Sequence, residues 1–361
     1  MIDPVALAQA LVRIDSRNPP GDEQPCVDLL APLLRDAGFE IEIAGFGPER
    51  VNLIARRGTG KARVFTGHLD VVPLGAAPWT VDPFGGEIID GKLFGRGATD
   101  MKAGVAAMIA AAIATPDATV TLILTGGEET GSEGAQALAA SGLPDEAEFL
   151  VVGEPTDNRL LAGHKGALWL KGCCHGVTAH GSTPHLGTNA VYAAARAVGA
   201  LERFGFGHPA HPIMGNPSLN VGTMSGGLNI NSVPDRAEFT IDIRTVPGQH
   251  HDAVTRDVAN AVGAETELAT LVDLPSVWSD PQGQTMMALV HAHGLVLGAA
   301  SAPASANYFT DASVLTPALG GVPTVICGPG DPAMAHKTDE FCEIAAIHEA
   351  VAIYRAMLAL P

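Results

Sequence analysis

The stretch LILTGGEETGSEGA, residues 122–135, joins an apolar run to two glycines and two adjacent glutamates. The apolar run predicts a buried strand, and the segment after it predicts a short helix near residues 133–140. Glu128 and Glu129 repel each other where that strand ends. Either they lie on a solvated turn by chance, or a positive charge lies between them.

Strand-like apolar runs alternate with helical spacing on both sides of this stretch. The strand-like runs are 40–46, 51–57, 62–70, 119–126 and 148–155, and the helical segments are 3–15, 25–37 and 103–114. The alternation predicts an α/β domain with a mainly parallel sheet and helices on both faces. Such sheets bind ligands at the carboxyl ends of their strands. Three of the predicted ends carry polar residues, in GHLD, GGEETGS and GEPT.

The pattern changes between residues 166 and 280. A strand, a helix, two strands, a helix and a strand follow in order there, which predicts a compact ferredoxin-like α+β unit. From about residue 282 a helix, the strand PTVICG and a last helix at 341–359 resume the first pattern. We therefore predict one α/β domain, residues 1–165 and 281–361, interrupted by an inserted domain of residues 166–280.

The composition argues against several classes of protein. The 361 residues include 39 acidic and 21 basic side chains, a net charge of −18, which argues against nucleic-acid binding. The N-terminus lacks the basic start and apolar core of a signal peptide. The longest apolar stretch, residues 103–114, has about half the length of a membrane span. The five cysteines include no CxxC pair, so we expect reduced thiols in a cytoplasmic protein that has no membrane contact.

Polar residues at the predicted strand ends suit a metal site. His68 and Asp70 are two apart, so both side chains project to one face of a strand. A metal-bound histidine usually has its second ring nitrogen held by a carboxylate or a carbonyl, but the pair equally suits an exposed turn. Glu154 precedes a proline that keeps it extended, which suits either a fixed ligand or a simple turn.

Two further residues complete the candidate set. Asp100, before the predicted helix at 103–114, suits a helix N-cap as well as a carboxylate that bridges two cations. His336, in the loop between the last strand and the last helix, offers a second nitrogen ligand. If two cations lie about 3.5–4 Å apart, one of Glu128 and Glu129 can bind metal while the other reaches the water between them. Nitrogen and oxygen donors without thiolate suit zinc, and also manganese or cobalt.

Eight motifs occur in order across nearly the whole chain: GHLDVVP, LFGRGATDMKAGVAAM, GGEETGS, VVGEPT, GHKG, AHGSTPHLGTNAV, NSVPDRAEFTIDIRTVPG and CGPGDPAMAHKTDEF. In these motifs the chain resembles the dinuclear-zinc metallopeptidase family of acetylornithine deacetylase, succinyl-diaminopimelate desuccinylase, aminoacylase-1 and carboxypeptidase G2. The resemblance implies a zinc-hydrolase catalytic domain with an inserted lid and dimerisation domain. It also implies two Zn²⁺ per chain, which Co²⁺ or Mn²⁺ can replace.

The resemblance assigns roles to individual residues. The metal ligands that it implies are His68, Asp100, Glu129, Glu154 and His336. Asp100 would bridge both ions, His68 and Glu154 would hold the first, and the other two ligands would hold the second. Asp70 would support His68, and Glu128 would be the general base. The peptide bond between Asp100 and Met101 is expected to be cis.

In the inserted domain the resemblance implies that His180 reaches the active site of a partner subunit and stabilises the oxyanion. Asn231 and Arg244 match positions that contact substrate. An arginine suits bidentate binding of a carboxylate, but Arg244 could equally form a surface salt bridge.

The implied activity is hydrolysis of the amide bond of an N-acyl amino acid, with deacetylation ranked ahead of desuccinylation. A zinc carboxypeptidase or dipeptidase that uses the same centre is the alternative enzyme. A family member that has lost catalysis and serves as a binding protein is the alternative of another class. The implied partners are a small N-acyl amino acid or short peptide and a second copy of the chain, bound through the inserted domain.

Overall fold

The computed structural model describes residues 2–143, 146–299 and 302–361, which form fifteen strands and nine α-helices. The strands are β1 (Glu40–Gly47), β2 (Arg50–Arg57), β3 (Ala62–His68), β4 (Ile88–Ile89), β5 (Lys92–Phe94), β6 (Val120–Thr125), β7 (Ala147–Val152), β8 (Gly163–His164), β9 (Gly166–His175), β10 (Ser218–Gly226), β11 (Arg236–Thr245), β12 (Thr266–Leu274), β13 (Val277–Trp278), β14 (Thr324–Ile326) and β15 (Phe341–Glu343). The helices are α1 (Pro4–Val12), α2 (Gln24–Asp36), α3 (Ala103–Ile113), α4 (Glu133–Ser141), α5 (Ala190–Leu201), α6 (His251–Val262), α7 (Gln284–Leu297), α8 (Ala312–Ala318) and α9 (Ile344–Leu358).

Six of these strands form the central sheet, in the order β1-β2-β6-β3-β7-β14. The last four of that order are parallel, and β1 and β2 add an antiparallel hairpin at one edge. Every residue of β6 is buried, as expected for a parallel strand that is covered on both faces. The prediction of a mainly parallel α/β sheet is therefore confirmed.

Helix α3 is alanine-rich and almost wholly buried, as its uniformly apolar sequence predicts. It packs against α9, whose Tyr354 meets Phe65 of β3 edge-to-face at 5.4 Å. The last helix begins later than predicted, because residues 341–343 form β15 and pair with β5. No helix in the described ranges is long and apolar enough to cross a membrane.

The chain divides into two compact units. Unit 1 comprises residues 1–163, 278–305 and 310–361, and unit 2 comprises residues 164–277 and 306–309. Unit 2 thus includes a short return segment that the sequence does not indicate. In that segment the carbonyl of Ala306 accepts a hydrogen bond from the N–H of Lys165, and Phe309 packs edge-to-face on Trp169.

Unit 2 contains an antiparallel sheet of order β10-β11-β9-β12. Its strands and helices follow in the sequence strand, helix, strand, strand, helix, strand, as a ferredoxin-like unit requires. Alternate residues of β9 and β11 are buried with the apolar faces of α5 and α6, including Leu168, Leu170 and Phe239. The role of this unit as a lid or dimerisation domain stays a prediction.

The parallel strands of unit 1 place the polar loops of the sequence side by side. His68 is the last residue of β3, which lies between β6 and β7. The GGEE turn follows β6, and Glu154 follows β7 by two residues. Because parallel strands end at the same edge of a sheet, these three loops meet there.

Candidate metal centre

Asp100 lies between two histidines and faces each with a different oxygen. Its Oδ1 is 3.1 Å from Nε2 of His68, and its Oδ2 is 3.2 Å from Nε2 of His336. The segment before α3 is irregular: Asp100 is extended, with φ −117° and ψ 96°, and the peptide bond to Met101 is cis as predicted. The N-cap position of α3 belongs to Lys102. Asp100 is therefore not the helix cap, and its two carboxylate oxygens lie between His68 and His336.

A first cluster of donors surrounds His68. Its Nε2 also lies 3.6 Å from Oε1 of Glu154, and both side chains are buried. On the other side of the ring, Nδ1–H donates to the backbone carbonyl of Asp70 at 2.8 Å. This hydrogen bond fixes the tautomer and turns Nε2 toward the carboxylates.

The carboxylate of Asp70 supports the site in another way. It is 3.7 Å from His68 Nδ1, and it accepts hydrogen bonds from the backbone N–H groups of Glu128 and Glu129 at 3.2 and 3.3 Å. The side-chain amide of Asn18 donates to it as well, at 2.9 Å. Asp70 therefore orients the histidine with its carbonyl and the double-glutamate turn with its carboxylate.

A second cluster of donors surrounds His336. Its Nε2 lies 3.1 Å from Oε2 of Glu129, as well as close to Asp100. The other oxygen of Glu129 is buried, and it has no hydrogen-bond partner among the described residues. A buried carboxylate oxygen without a partner is unfavourable unless a cation satisfies it. This donor set therefore fits a divalent cation.

Glu128 is buried close to the first cluster. One donor atom from each of His68, Glu128 and Glu154 lies within 4.8 Å of the other two, and the same is true of His68, Asp100 and Glu129. Burial raises the pKa of Glu128 well above its usual range, although the positive His68 opposes the shift. The geometry therefore places Glu128 beside the donor atoms that could hold a cation.

The carboxylates of the two clusters act on the pKa values of both histidines. Burial lowers the pKa of His68, but Glu154 and Asp100 outweigh it and raise this pKa well above its usual range. Hydrogen bonds to Asp100 and Glu129 raise the pKa of His336 to about 10. The surrounding carboxylates therefore favour positive charge at both histidines, and a bound cation would supply such charge.

Two buried polar residues beside the site were missed from the sequence. Asn18 also donates to Oγ1 of Thr130, and it lies between the glutamate turn and Asp70. Asp311 accepts a hydrogen bond from Oγ1 of Thr125, the last residue of β6, and burial raises its pKa to about 6. Both are single polar residues far away in the chain, so no local spacing signals their partners.

Unit 2 holds the three remaining candidates. His180 is exposed, and its Nδ1 accepts a hydrogen bond from the N–H of Ser182 at 3.1 Å. Asn231 is its neighbour, because the carbonyl of Asn231 accepts from the N–H of Gly181 at 2.7 Å. The structure therefore brings His180 and Asn231 together at the surface of this unit.

Arg244 forms the salt bridge that its alternative interpretation predicts. Its Nε lies 2.9 Å from Oδ1 of Asp242, and its guanidinium lies over the ring of Phe309 at 5.8 Å. Its Nη1 is nevertheless buried, and the described part of the chain offers this nitrogen no hydrogen-bond partner. Arg244 therefore retains one donor for an additional acceptor.

Comparisons with known proteins agree with this geometry. Residues 64–360 match the sequence model of peptidase family M20/M25/M40. A probable succinyl-diaminopimelate desuccinylase of Staphylococcus epidermidis is 33% identical over 94% of this chain and 93% of its own length. A succinyl-diaminopimelate desuccinylase of Rhodospirillum centenum is 34% identical over 99% and 96%.

Solved structures share the fold. An M20 family metallo-carboxypeptidase from Sulfolobus solfataricus superimposes with a TM-score of 0.81 at 17% identity, over 99% of both chains. The YXEP protein of Bacillus subtilis, described as a dinuclear metal binding peptidase of the M20 family, superimposes with a TM-score of 0.71 at 17% identity. That comparison covers 98% of this chain and 96% of the other.

Proposed function

The chain belongs to peptidase family M20/M25/M40 and is a metallo-hydrolase, and from this premise we propose that it hydrolyses the amide bond of an N-acyl amino acid at a centre of two divalent cations. One observation carries the proposal: the two oxygens of Asp100 face His68 and His336 at nearly equal distances. A single carboxylate between two nitrogen donors is the arrangement that a bridged pair of cations needs.

The donors divide into two subsites. His68 and Glu154 would hold one cation, Glu129 and His336 would hold the other, and Asp100 would belong to both. Bound cations would act as Lewis acids and lower the pKa of water. The mixture of imidazole and carboxylate donors favours zinc and also accommodates cobalt or manganese.

Glu128 is proposed as the general base. Its carboxylate would take a proton from the attacking water while the water oxygen bonds to the amide carbon. When the carbon–nitrogen bond breaks, the same carboxylate would return that proton to the leaving nitrogen. The burial of Glu128 supports this role, because a carboxylate with a raised pKa is a stronger base.

The substrate proposed first is an N-succinyl amino acid such as N-succinyl-diaminopimelate. The sequence alone ranked deacetylation ahead of desuccinylation, but relatives that cover nearly the whole chain are desuccinylases. A succinyl amide carries a carboxylate at its far end. Nη1 of Arg244 has no hydrogen-bond partner among the described residues, which supports recognition of such a group. Carboxypeptidase or dipeptidase activity is the second candidate, since structures of that fold include peptidases.

We also propose that unit 2 forms a homodimer. Strand β10 is an edge strand of its sheet, and most of its residues are exposed. An edge strand of this kind suits pairing with a second copy across a two-fold axis. His180 would then stabilise the oxyanion in the partner's site, and Asn231 would contact substrate. A cytoplasmic location remains a prediction from the sequence.

A substrate panel tests the activity. N-succinyl-diaminopimelate, N-acetyl-ornithine, simple N-acetyl amino acids and dipeptides would be assayed with added Zn²⁺, Co²⁺ or Mn²⁺. We expect the highest kcat/KM for the succinyl amide. If kcat/KM is higher for dipeptides than for every acyl amino acid, the activity is that of a peptidase and not of a deacylase. If no substrate is hydrolysed with any cation, both proposals are wrong.

The two glutamates give a sharper test of the mechanism. Glu128→Gln removes basicity and keeps the shape, so both cations should stay bound while kcat falls by about 10²–10⁴ with little change in KM. Glu129→Gln removes a charged ligand, so one cation should be lost and excess cation should restore part of the activity. If metal content and kcat show the opposite pattern, the two roles are reversed.

A further inference from the structure

Arg96 and Glu340 form a buried ion pair beside the cluster that contains His336. Nη1 of Arg96 donates to Oε2 of Glu340 at 2.6 Å, and the exposed fractions of the two side chains are 1% and 0%. Removing two charges from water costs several kcal/mol per ion, so a buried pair is weak evidence for a purely stabilising role. The other contacts of these two side chains indicate what the pair does.

Glu340 holds the backbone that presents the bridging carboxylate. Its Oε1 accepts hydrogen bonds from the N–H groups of Thr99 and Asp100 at 2.8 and 2.9 Å. Its Oε2 accepts from the N–H of Gly97 at 3.0 Å, in addition to the guanidinium. Four donors therefore converge on one carboxylate, and they fix the backbone of the irregular segment before α3.

Arg96 holds the backbone that presents His336. Its Nη2 donates to the carbonyl of His336 at 3.4 Å, and its Nη1 donates to the carbonyl of Lys337 at 3.3 Å. Nη2 also reaches the carbonyl of Pro73, in the loop after β3, at 3.2 Å. A guanidinium can make these contacts at once because its donors form a rigid planar fork.

The ion pair thus joins the Asp100 segment to the His336 segment. Asp100 and His336 are 236 positions apart in the chain, yet their side chains must stay about 3 Å apart to share a cation. His68 and Glu154 have a separate anchorage, because they extend from β3 and β7, which pair directly in the central sheet. The ion pair holds the segments of two ligands of the second subsite, His336 and Asp100, but of only one ligand of the first, Asp100. Disturbing the ion pair should therefore affect the second subsite more than the first.

We propose that Arg96 and Glu340 are positioning residues that set the affinity of the second cation subsite, formed by His336, Glu129 and Asp100. The inference rests on the proposed function, because it requires two cations. Neither residue touches substrate or cation in this role. Each acts by holding a loop from which a ligand extends.

The test compares two variants of the full chain. Glu340→Gln keeps the size of the side chain but removes its charge and turns an acceptor into an N–H donor that faces other donors. Glu148→Gln is the control, because it breaks the Arg63–Glu148 pair at the opposite end of the central sheet. Metal-free protein would be titrated with Zn²⁺ against a competing chelator, and circular dichroism and Tm would be recorded before metal is added.

We expect Glu340→Gln to weaken binding of the second cation about tenfold to hundredfold and binding of the first cation by a smaller factor. The control should keep both affinities within about twofold of wild type, and excess Zn²⁺ should restore kcat of Glu340→Gln. If wild type binds two cations and Glu340→Gln binds both with unchanged affinity, this inference is wrong but the dinuclear function stands. Wild type that binds a single cation overturns the dinuclear function as well.

If the Arg96–Glu340 pair only stabilised the fold, the measurements would give a different result. Glu340→Gln would then lower Tm and weaken both cations equally, and excess Zn²⁺ would not restore kcat. If Glu340→Gln does not fold, Arg96→Lys takes its place, since it retains the positive charge and loses the fork to the carbonyls. Selective weakening of the second cation in Arg96→Lys supports the positioning role, and two unchanged affinities refute it.

Discussion

Removing the cations should leave a proton on His336, and restoring them should release it. Hydrogen bonds to Asp100 and Glu129 raise the pKa of His336 to about 10. Cations bind only the neutral imidazole. A proton with that pKa would reduce the apparent affinity at about pH 7.5 by roughly 300-fold. The side chain of His336 is 54% exposed, so solvent screening should reduce this factor to about tenfold to hundredfold.

The assay is calorimetric titration of the metal-free chain with Zn²⁺ in two weakly coordinating buffers that differ in ionisation enthalpy. The difference in heat gives the number of protons released. We expect wild type to release about one proton more than His336→Asn at about pH 7.5. Apparent affinity for the second cation should rise with pH over the same range. Equal proton release by the two proteins would show that His336 is already neutral, and would refute the argument.

The same proton affects the stability of the metal-free chain. The folded pKa of His336 lies above the ordinary value of 6.5, so the charged form is favoured by folding. Its contribution to the free energy of unfolding is fully present below about pH 6.5 and is lost as the pH rises toward 10. The Tm difference between wild type and His336→Asn should shrink across that interval. A difference that grows with pH would contradict the assigned sign.

Two further predictions concern stoichiometry and assembly. Protein purified without chelator should contain close to two divalent ions per chain. The His68→Ala variant should lose mainly one ion, and the His336→Ala variant mainly the other. If the chain binds only one ion under excess zinc, Asp100 does not bridge two cations. Light scattering at micromolar concentration should report twice the mass of the chain, whereas a monomer would leave His180 without its proposed role.

Much of the fold could be predicted because the sequence signals were local. The apolar run of β6 and the uniformly apolar sequence of α3 predict buried elements, and neither prediction depends on distant residues. The positions of His68 and Glu154 followed from the same signals, because ligands were expected where parallel strands end. Contacts between distant segments could not be predicted from the sequence. Arg96 and Glu340 are separated by 244 positions, and no spacing rule connects them.

The role of Asp70 shows a second kind of limit. Its place two residues after His68 predicted support for the histidine, but the sequence did not indicate whether its carbonyl or its carboxylate would face the ring. The structure assigns the carbonyl to His68 and the carboxylate to the N–H groups of Glu128 and Glu129. Which group faces which partner depends on backbone torsion angles at the end of β3, and residue identity does not specify these.

The adjacent glutamates are explained by charge balance within the cluster. Five carboxylates converge at this edge of the sheet, and each side chain is at most 12% exposed: those of Asp70, Asp100, Glu128, Glu129 and Glu154. Buried charges persist only when they are paired, and His68 and His336 are too few to pair with all five carboxylates. Two divalent cations would supply four positive charges and free both histidines to act as ligands. The cluster would then be nearly neutral, which explains why the chain keeps Glu128 and Glu129 side by side.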